Sequence, residues 1–333
     1  MIHAYAAKAA KQPLASFDYD PGPLAEDQVE VAVTHCGICH SDMSMSDNEW
    51  GMTTYPLVPG HEVVGTIATV GKGVTTLKSG QRVGIGWLCG SCGHCEWCLR
   101  GKDHLCPEQR ATIVGHHGGY ADRVRSQARF AIPIPEALSS AEAAPLMCAG
   151  STVYSPLVHQ GVRPGMQAAV IGIGGLGHLA VQYLAQFGCE VTAISGTASK
   201  EAEARNLGAT GFIATQQPDA LKKAASRFDV IVDTVSGDLP WMELIEALRP
   251  EGKFIVCGIP ASELKINAFP MIAMERALVG GRLGSAEDTK DMLDFSAAHG
   301  VKPMIETFPM KDVNKAFEHV RANKARYRAV LAM

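Results

Sequence analysis

The chain has 333 residues, 47% of them hydrophobic and 34 of them glycine, which suits two packed α/β-type domains and excludes a disordered chain. Its formal net charge of −4 gives no reason to expect nucleic acid or an anionic membrane surface as a partner. The N-terminal MIHAYAAKAAKQPLASF lacks a basic stretch followed by a long apolar run, and no segment approaches the roughly 18 apolar residues of a membrane span, so a cytoplasmic protein is expected.

The first 150 residues read as short strands joined by turns. VEVAVTHC (29–36), HEVVGTIATVG (61–71), QRVGIG (81–86) and GGYADRVRS (118–126) are rich in β-branched residues or bounded by Gly and Pro. The loops of this β-rich part carry most of the Cys and His. Near 150 the texture changes. AAVIGIGGLGHLAVQYLAQFG (168–188) predicts a strand, a glycine turn and a helix, and CEVTAIS (189–195) the next strand. SKEAEARNLG (199–208) predicts a helix ending at Gly, FDVIVDTV (228–235) a strand, WMELIEALRPEG (241–252) a helix and KFIVCGI (253–259) a strand. That alternation predicts a parallel sheet covered on both faces. From about 286 the pattern runs helix, strand, helix, strand, a tail placed to rejoin the first domain.

Gly172-Ile-Gly174-Gly175-Leu176-Gly177 fits the dinucleotide pattern G-x-G-x-x-G between an apolar strand and a helix, the context that makes it specific. The first glycine permits the turn, the second lets backbone approach a pyrophosphate, and the third lets helix and strand pack closely. An NAD enzyme usually has an acid at the tip of the following strand. Here the tip reads Ser195-Gly196-Thr197-Ala-Ser-Lys200. Hydroxyls and one cation without a carboxylate suit a 2′-phosphate, so NADP(H) is expected ahead of NAD(H). Ser195 and Thr197 are also ordinary helix-capping types.

Ten cysteines without an export signal are expected as thiols or thiolates, and five of them crowd into CGSCGHCEWCLRGKDHLC (89–106). Cys89, Cys92, Cys95 and Cys98 form one conceivable quartet, but strict CxxC steps leave little chain to wrap a tetrahedron. Cys92, Cys95, Cys98 and Cys106 include a longer return loop that closes the far side, with Cys89 spare. Four thiolates make a closed, structural zinc site. A second set is scattered: Cys36 and Cys39 in CGICHSD, His61 and Glu62, and Cys148. Thiolate, imidazole and thiolate from separate segments match a catalytic zinc with one open position. Asp42 is placed to accept the other N–H of His61. Two bland readings stay open on spacing alone: Cys36 and Cys39 as a redox pair, and Cys148 as core.

These motifs together, with YPLVPGHEVVG (55–65), make the chain resemble the zinc-dependent medium-chain alcohol dehydrogenases, in their cinnamyl-alcohol-dehydrogenase-like branch. The resemblance covers nearly the whole chain. It implies a GroES-like catalytic domain from 1–149 and 286–333, with the structural zinc lobe at 89–106, and a Rossmann doubly wound parallel-sheet domain at 150–285. It implies Cys39, His61 and Cys148 as catalytic-zinc ligands and Glu62 as an exchangeable one, with Cys36 a neighbour. It implies Ser41 as the first proton-relay group, His40 against the cofactor pyrophosphate, and Trp50, Met52 and Trp87 along the substrate pocket. NADP(H), a small-molecule alcohol or aldehyde, and a homodimer formed through the Rossmann domain complete the expectation. Relatives often carry a His five residues beyond the ligand cysteine; that position is Ser44 here, so water, ribose hydroxyls or another substituting group is expected to complete the relay. The rival readings are an NAD-dependent zinc alcohol or polyol dehydrogenase, a zinc-free reductase and a non-enzymatic zinc-lobe scaffold.

Overall fold

The structure, a computed structural model, describes every residue except Ala261. The chain divides into two compact units, Met1–Ser151 with Gly284–Met333, and Thr152–Leu283.

The first unit is organised by the strand Gln28–Ile38. Its apolar positions alternate, so Val29, Val31 and Val33 point into the core. Of two irregularities in its pairing with Val63–Val70, the one at Val33/His35 ends that alternation, and the strand finishes in a continuous buried run, Cys36 to Ile38. It pairs antiparallel with Val63–Val70, Arg123–Gln127 and Arg328–Ala332. Strand Arg328–Ala332 also pairs in parallel with Ile305–Pro309, so the C-terminal tail completes the sheet of the N-terminal part. Ile67, Ile85, Val124 and Leu331 close this core; each such fully buried side chain contributes about 1.5–3 kcal/mol.

One expected strand is shorter than 118–126. Pairing with Gln28–Ile38 covers only Arg123–Gln127, and Gly118 to Tyr120 brace another segment. Their amides donate to the carbonyls of Val58 (2.8 Å), Gly60 (2.7 Å) and Pro59 (3.0 Å), directly before His61. A Cβ on Gly118 would sit 2.5 Å from the Pro59 carbonyl oxygen, so only glycine allows this approach.

In the second unit a parallel sheet runs, among the described residues, in the order Gly211–Ala214, Glu190–Ser195, Gln167–Ile171, Phe228–Asp233, Leu248–Val256, Ala277–Gly280. The strand order reverses direction beside Gln167–Ile171, the switch point where doubly wound sheets bind ligands. Ile171, Ile194, Phe228, Ile231, Leu244 and Phe254 form its core. The helix expected over 241–252 stops at Glu246, and the next strand starts at Leu248. Pro250 disfavours helix in the residue before it, and Leu248 pairs with Phe228 instead. No described helix is long and apolar enough to cross a membrane.

Candidate active site

Strand register, not proximity in sequence, assembles the site. Cys36 lies opposite Val63, Val63 opposite Ile85, and Ile38 opposite Ala329. Those pairings bring Cys39, His61, Glu62, Trp87 and Arg328 to one end of the first unit's sheet. Cys148 arrives from a single π turn, Leu146–Gly150, that follows Pro145. A π turn widens a helix locally and is frequent at functional sites. Its sulfur stands 4.0 Å from that of Cys39.

Cys39 precedes the helix His40–Ser46, and Asp42 in its first turn is the hub. Asp42 Oδ1 accepts from His61 Nδ1 (2.8 Å) and the Gly60 amide (2.8 Å), while Oδ2 accepts from the Cys39 amide (3.0 Å). The Tyr120 hydroxyl stands 3.5 Å from Oδ2. Asp42 therefore fixes the proton of His61 on Nδ1 and leaves Nε2 its lone pair. His61 Nε2 and Glu62 Oε2 are buried with no hydrogen-bond partner. One donor atom from each of Cys39, His61, Glu62 and Cys148 lies within 4.8 Å of the others. Two sulfurs, an imidazole nitrogen and a carboxylate oxygen with orphaned lone pairs fit a borderline-soft divalent cation such as zinc.

The charges are balanced inside the protein. The hydrogen bond between the two sulfurs pulls the Cys39 thiol well below its ordinary range and pushes Cys148 up. Burial lowers the basicity of His61, but the hydrogen bonds and negative charges of Asp42 and Cys39 together outweigh it and the net shift is upward. Burial also raises the Glu62 carboxyl, and the Arg328 guanidinium, which donates to Glu62 Oε1 and to the Ile38 carbonyl, opposes that rise. Arg328 is buried in a terminal strand, YRAVLAM, and its partner is Glu62. Sequence reasoning missed it; the signal was one arginine in an otherwise apolar strand.

The other expected residues of this unit fall as follows. Ser41 Oγ is 3.8 Å from Cys39 Sγ, and His40 is exposed at the start of the helix. Ser44 is buried and donates to Glu49 Oε2 at 2.6 Å. Trp87 meets the His61 ring edge-on, centroids 5.0 Å apart, and Trp50 meets Trp87 edge-on at 6.1 Å. Both pack on Met45, Leu57 and Ile113. Met52 is half-exposed and stands outside this cluster.

The cysteine-rich loop brings Cys92, Cys95, Cys98 and Cys106 together, their sulfurs within 4.8 Å of one another. The short helix Glu96–Leu99 and the turn Asp103–Leu105 carry the chain back so that Cys106 Sγ comes 3.6 Å from Cys92 Sγ. Cys89 is outside the group; its thiol faces the Arg110 carbonyl and burial pushes it up to about 11.

In the second unit Gly172 leaves strand Gln167–Ile171 at φ 84°, a conformation that favours glycine. A Cβ on Gly177 would run into the Gly172 carbonyl oxygen, and Gly174 has open space around it. Helix Gly177–Gln186 starts there, and its N-terminal end lies at the loop, with the His178 amide donating to the Gly174 carbonyl at 3.1 Å. Ser195 ends the neighbouring strand; Gly196 and Thr197 are exposed, and Thr197 Oγ1 pairs with Ser199 Oγ at 2.7 Å. Lys200 Nζ donates to the Ile173 carbonyl at 2.5 Å, which ties this tip to the glycine loop.

The alcohol dehydrogenase GroES-like domain family matches residues 25–136, and the zinc-binding dehydrogenase family matches 175–298. An aldehyde reductase, AdhA, of Synechocystis sp. is 45% identical over 100% of this chain and 99% of its own. The chain belongs to the medium-chain alcohol dehydrogenases, in their cinnamyl-alcohol-dehydrogenase-like branch. The structure of a cinnamyl alcohol dehydrogenase from Sorghum bicolor aligns at TM-score 0.95 with 38% identity, covering 99% of this chain and 97% of that one. That of CAD from Helicobacter pylori complexed with NADP(H) aligns at 0.91 with 28% identity, covering 100% and 98%. This alcohol dehydrogenase thus joins a GroES-like unit to a Rossmann-type parallel sheet.

Proposed function

We propose that this alcohol dehydrogenase is a zinc-dependent, NADP(H)-preferring enzyme that interconverts primary alcohols and aldehydes, aromatic or medium-chain aliphatic, by hydride transfer. The observation that carries the proposal is the convergence of Cys39, His61, Glu62 and Cys148 with two orphaned lone pairs. Zinc held there would supply Lewis acidity toward an aldehyde or alcohol oxygen, and the nicotinamide would give the hydride as NADPH in reduction or take it as NADP+ in oxidation. The chain's own groups do the rest. Asp42 orients His61 and keeps its Nδ1 protonated. Arg328 balances the charge of Glu62, the exchangeable ligand. Ser41, beside Cys39, takes or returns the hydroxyl proton, and Ser44 is already committed to Glu49. Trp50 and Trp87 give an aromatic wall next to His61, which suits a flat or apolar substrate. Cys92, Cys95, Cys98 and Cys106 hold the structural zinc.

The cofactor preference rests on Ser195, Gly196, Thr197 and Lys200, a tip without a carboxylate, and on the NADP(H) carried by the Helicobacter pylori relative. The homodimer of the proposal uses the second unit. Its edge strand Ala277–Gly280 and the short helix before it expose Leu278, Phe269 and Ile272, the last two at 74%. A cytoplasmic location completes the reading.

The test is NADPH oxidation with an aromatic aldehyde before and after chelation. Turnover in the zinc-replete protein and its loss on chelation are expected; no turnover with any aldehyde refutes the proposal. Lys200→Ala should raise KM for NADPH roughly tenfold, about one charge-assisted contact, and leave KM for NADH nearly unchanged. Equal effects on both cofactors would show that the tip does not read the phosphate.

A further inference from the structure

The rim of the cysteine lobe holds a second donor set. Cys92 Sγ, a ring nitrogen of His94 and a carboxylate oxygen of Glu108 lie within 4.8 Å of one another. His94 Nδ1 is 2.9 Å from the Cys92 carbonyl oxygen. A carbonyl only accepts, so Nδ1 carries the proton and Nε2 keeps its lone pair. Metal-ligating imidazoles are held the same way, with the other ring N–H given to a backbone carbonyl. His94 and Glu108 are exposed, whereas Cys98 and Cys106 are buried. Cys92 is therefore common to the quartet and to a group whose other two donors are exposed.

Charge favours a second ion here. Four thiolates around one divalent cation leave excess negative charge, and a thiolate sulfur has lone pairs enough to bridge two cations. We propose that Cys92, His94 and Glu108 form a second, solvent-exchangeable metal position on the lobe, which takes a zinc-type divalent cation through the shared Cys92 thiolate. Sulfur, imidazole and carboxylate supply three ligands, and water completes the tetrahedron. The site is open and exposed, so it fills at higher free metal than the closed quartet. The inference rests on the reading of Cys92, Cys95, Cys98 and Cys106 as a zinc site.

The experiment uses full-length protein dialysed against a weak chelator, with resident zinc counted by native mass spectrometry. Cobalt(II) is then titrated in, and the added ions are counted by mass while thiolate-to-cobalt charge-transfer absorption is followed. The expected result is one cobalt above the resident zinc, with that absorption. His94→Ala and Glu108→Gln should each weaken the uptake at least about tenfold and leave the resident zinc count unchanged. Both side chains are exposed, so folding is not at stake. Equal uptake in wild type and both variants, or no uptake above the resident zinc, overturns the proposal. Failure of the underlying lobe reading looks different: the resident count does not fall in Cys106→Ser. In that case the shared site falls with it.

Discussion

The two sulfur-rich regions of the first unit make opposite use of similar donors. In the lobe, four sulfurs come from one short segment and satisfy one another: Cys92 lies 3.6 Å from Cys106 and 3.9 Å from Cys98. In the sheet-end site two sulfurs, an imidazole and a carboxylate come from three distant segments, and His61 Nε2 and Glu62 Oε2 remain without partners. The four sulfurs of the lobe face one another, which leaves no room for a substrate among them. The sheet-end site has a mixed, adjustable donor set with an aromatic wall beside it. On the proposed reading, donor identity alone does not separate a brace from a reaction centre; what separates them is whether every ligand is permanent and whether a place is left open.

Substitutions can break or sharpen that contrast. Cys148→Ser should reduce aldehyde turnover to background while melting temperature and circular dichroism stay near wild type, because a hydroxyl is a poor soft ligand in an otherwise intact sheet. Retained turnover would remove Cys148 from the site. Cys106→Ser should do the reverse: zinc content falls by one per chain and the melting temperature drops by roughly 10 °C, with turnover per folded molecule largely kept. If activity vanished with the fold intact, the lobe would not be a mere brace.

Arg328→Met should cost about 1–3 kcal/mol in urea unfolding, since Glu62 loses its buried ion-pair and hydrogen-bond partner and its carboxyl, already raised by burial, takes up a proton instead. Adding Glu62→Gln to that chain should recover much of the loss; no recovery would show that Arg328 acts through packing and not through Glu62. Asp42→Asn should lower metal affinity or activity by about 10–100-fold, with a small change in stability. An effect below that range, measured by zinc competition with a chromophoric chelator, would mean that the Gly60 and Cys39 amides hold the loop without help from the charge on Asp42.

Much of this was legible in the residues. The strand–helix alternation from 168 to 259, the glycine turn and the cysteine spacing all involve neighbours in the chain, where local periodicity and ligand geometry act directly. The misjudged elements are those in which tertiary pairing overrode local pattern. Leu248 left a helical run because Phe228 and Pro250 made a strand better, and Gly118 to Tyr120 left a strand-like run to brace Val58 to Gly60. Arg328 was invisible for the same reason. A charged residue in a terminal strand gains meaning only from the carboxylate across the sheet.

By itself, then, the chain determined a strand–helix alternation, a glycine turn and a four-thiol lobe, because each is set by residues close enough to interact before the fold exists. The tertiary structure decided the rest. It chose Cys39 over Cys36 by turning the chain from a strand into a helix at that point, and it aimed Cys148 through a π turn. It placed a permanently charged guanidinium behind Glu62. Arg328 in particular depends on strand register, where shifting the pairing by one residue would send its side chain to the opposite face.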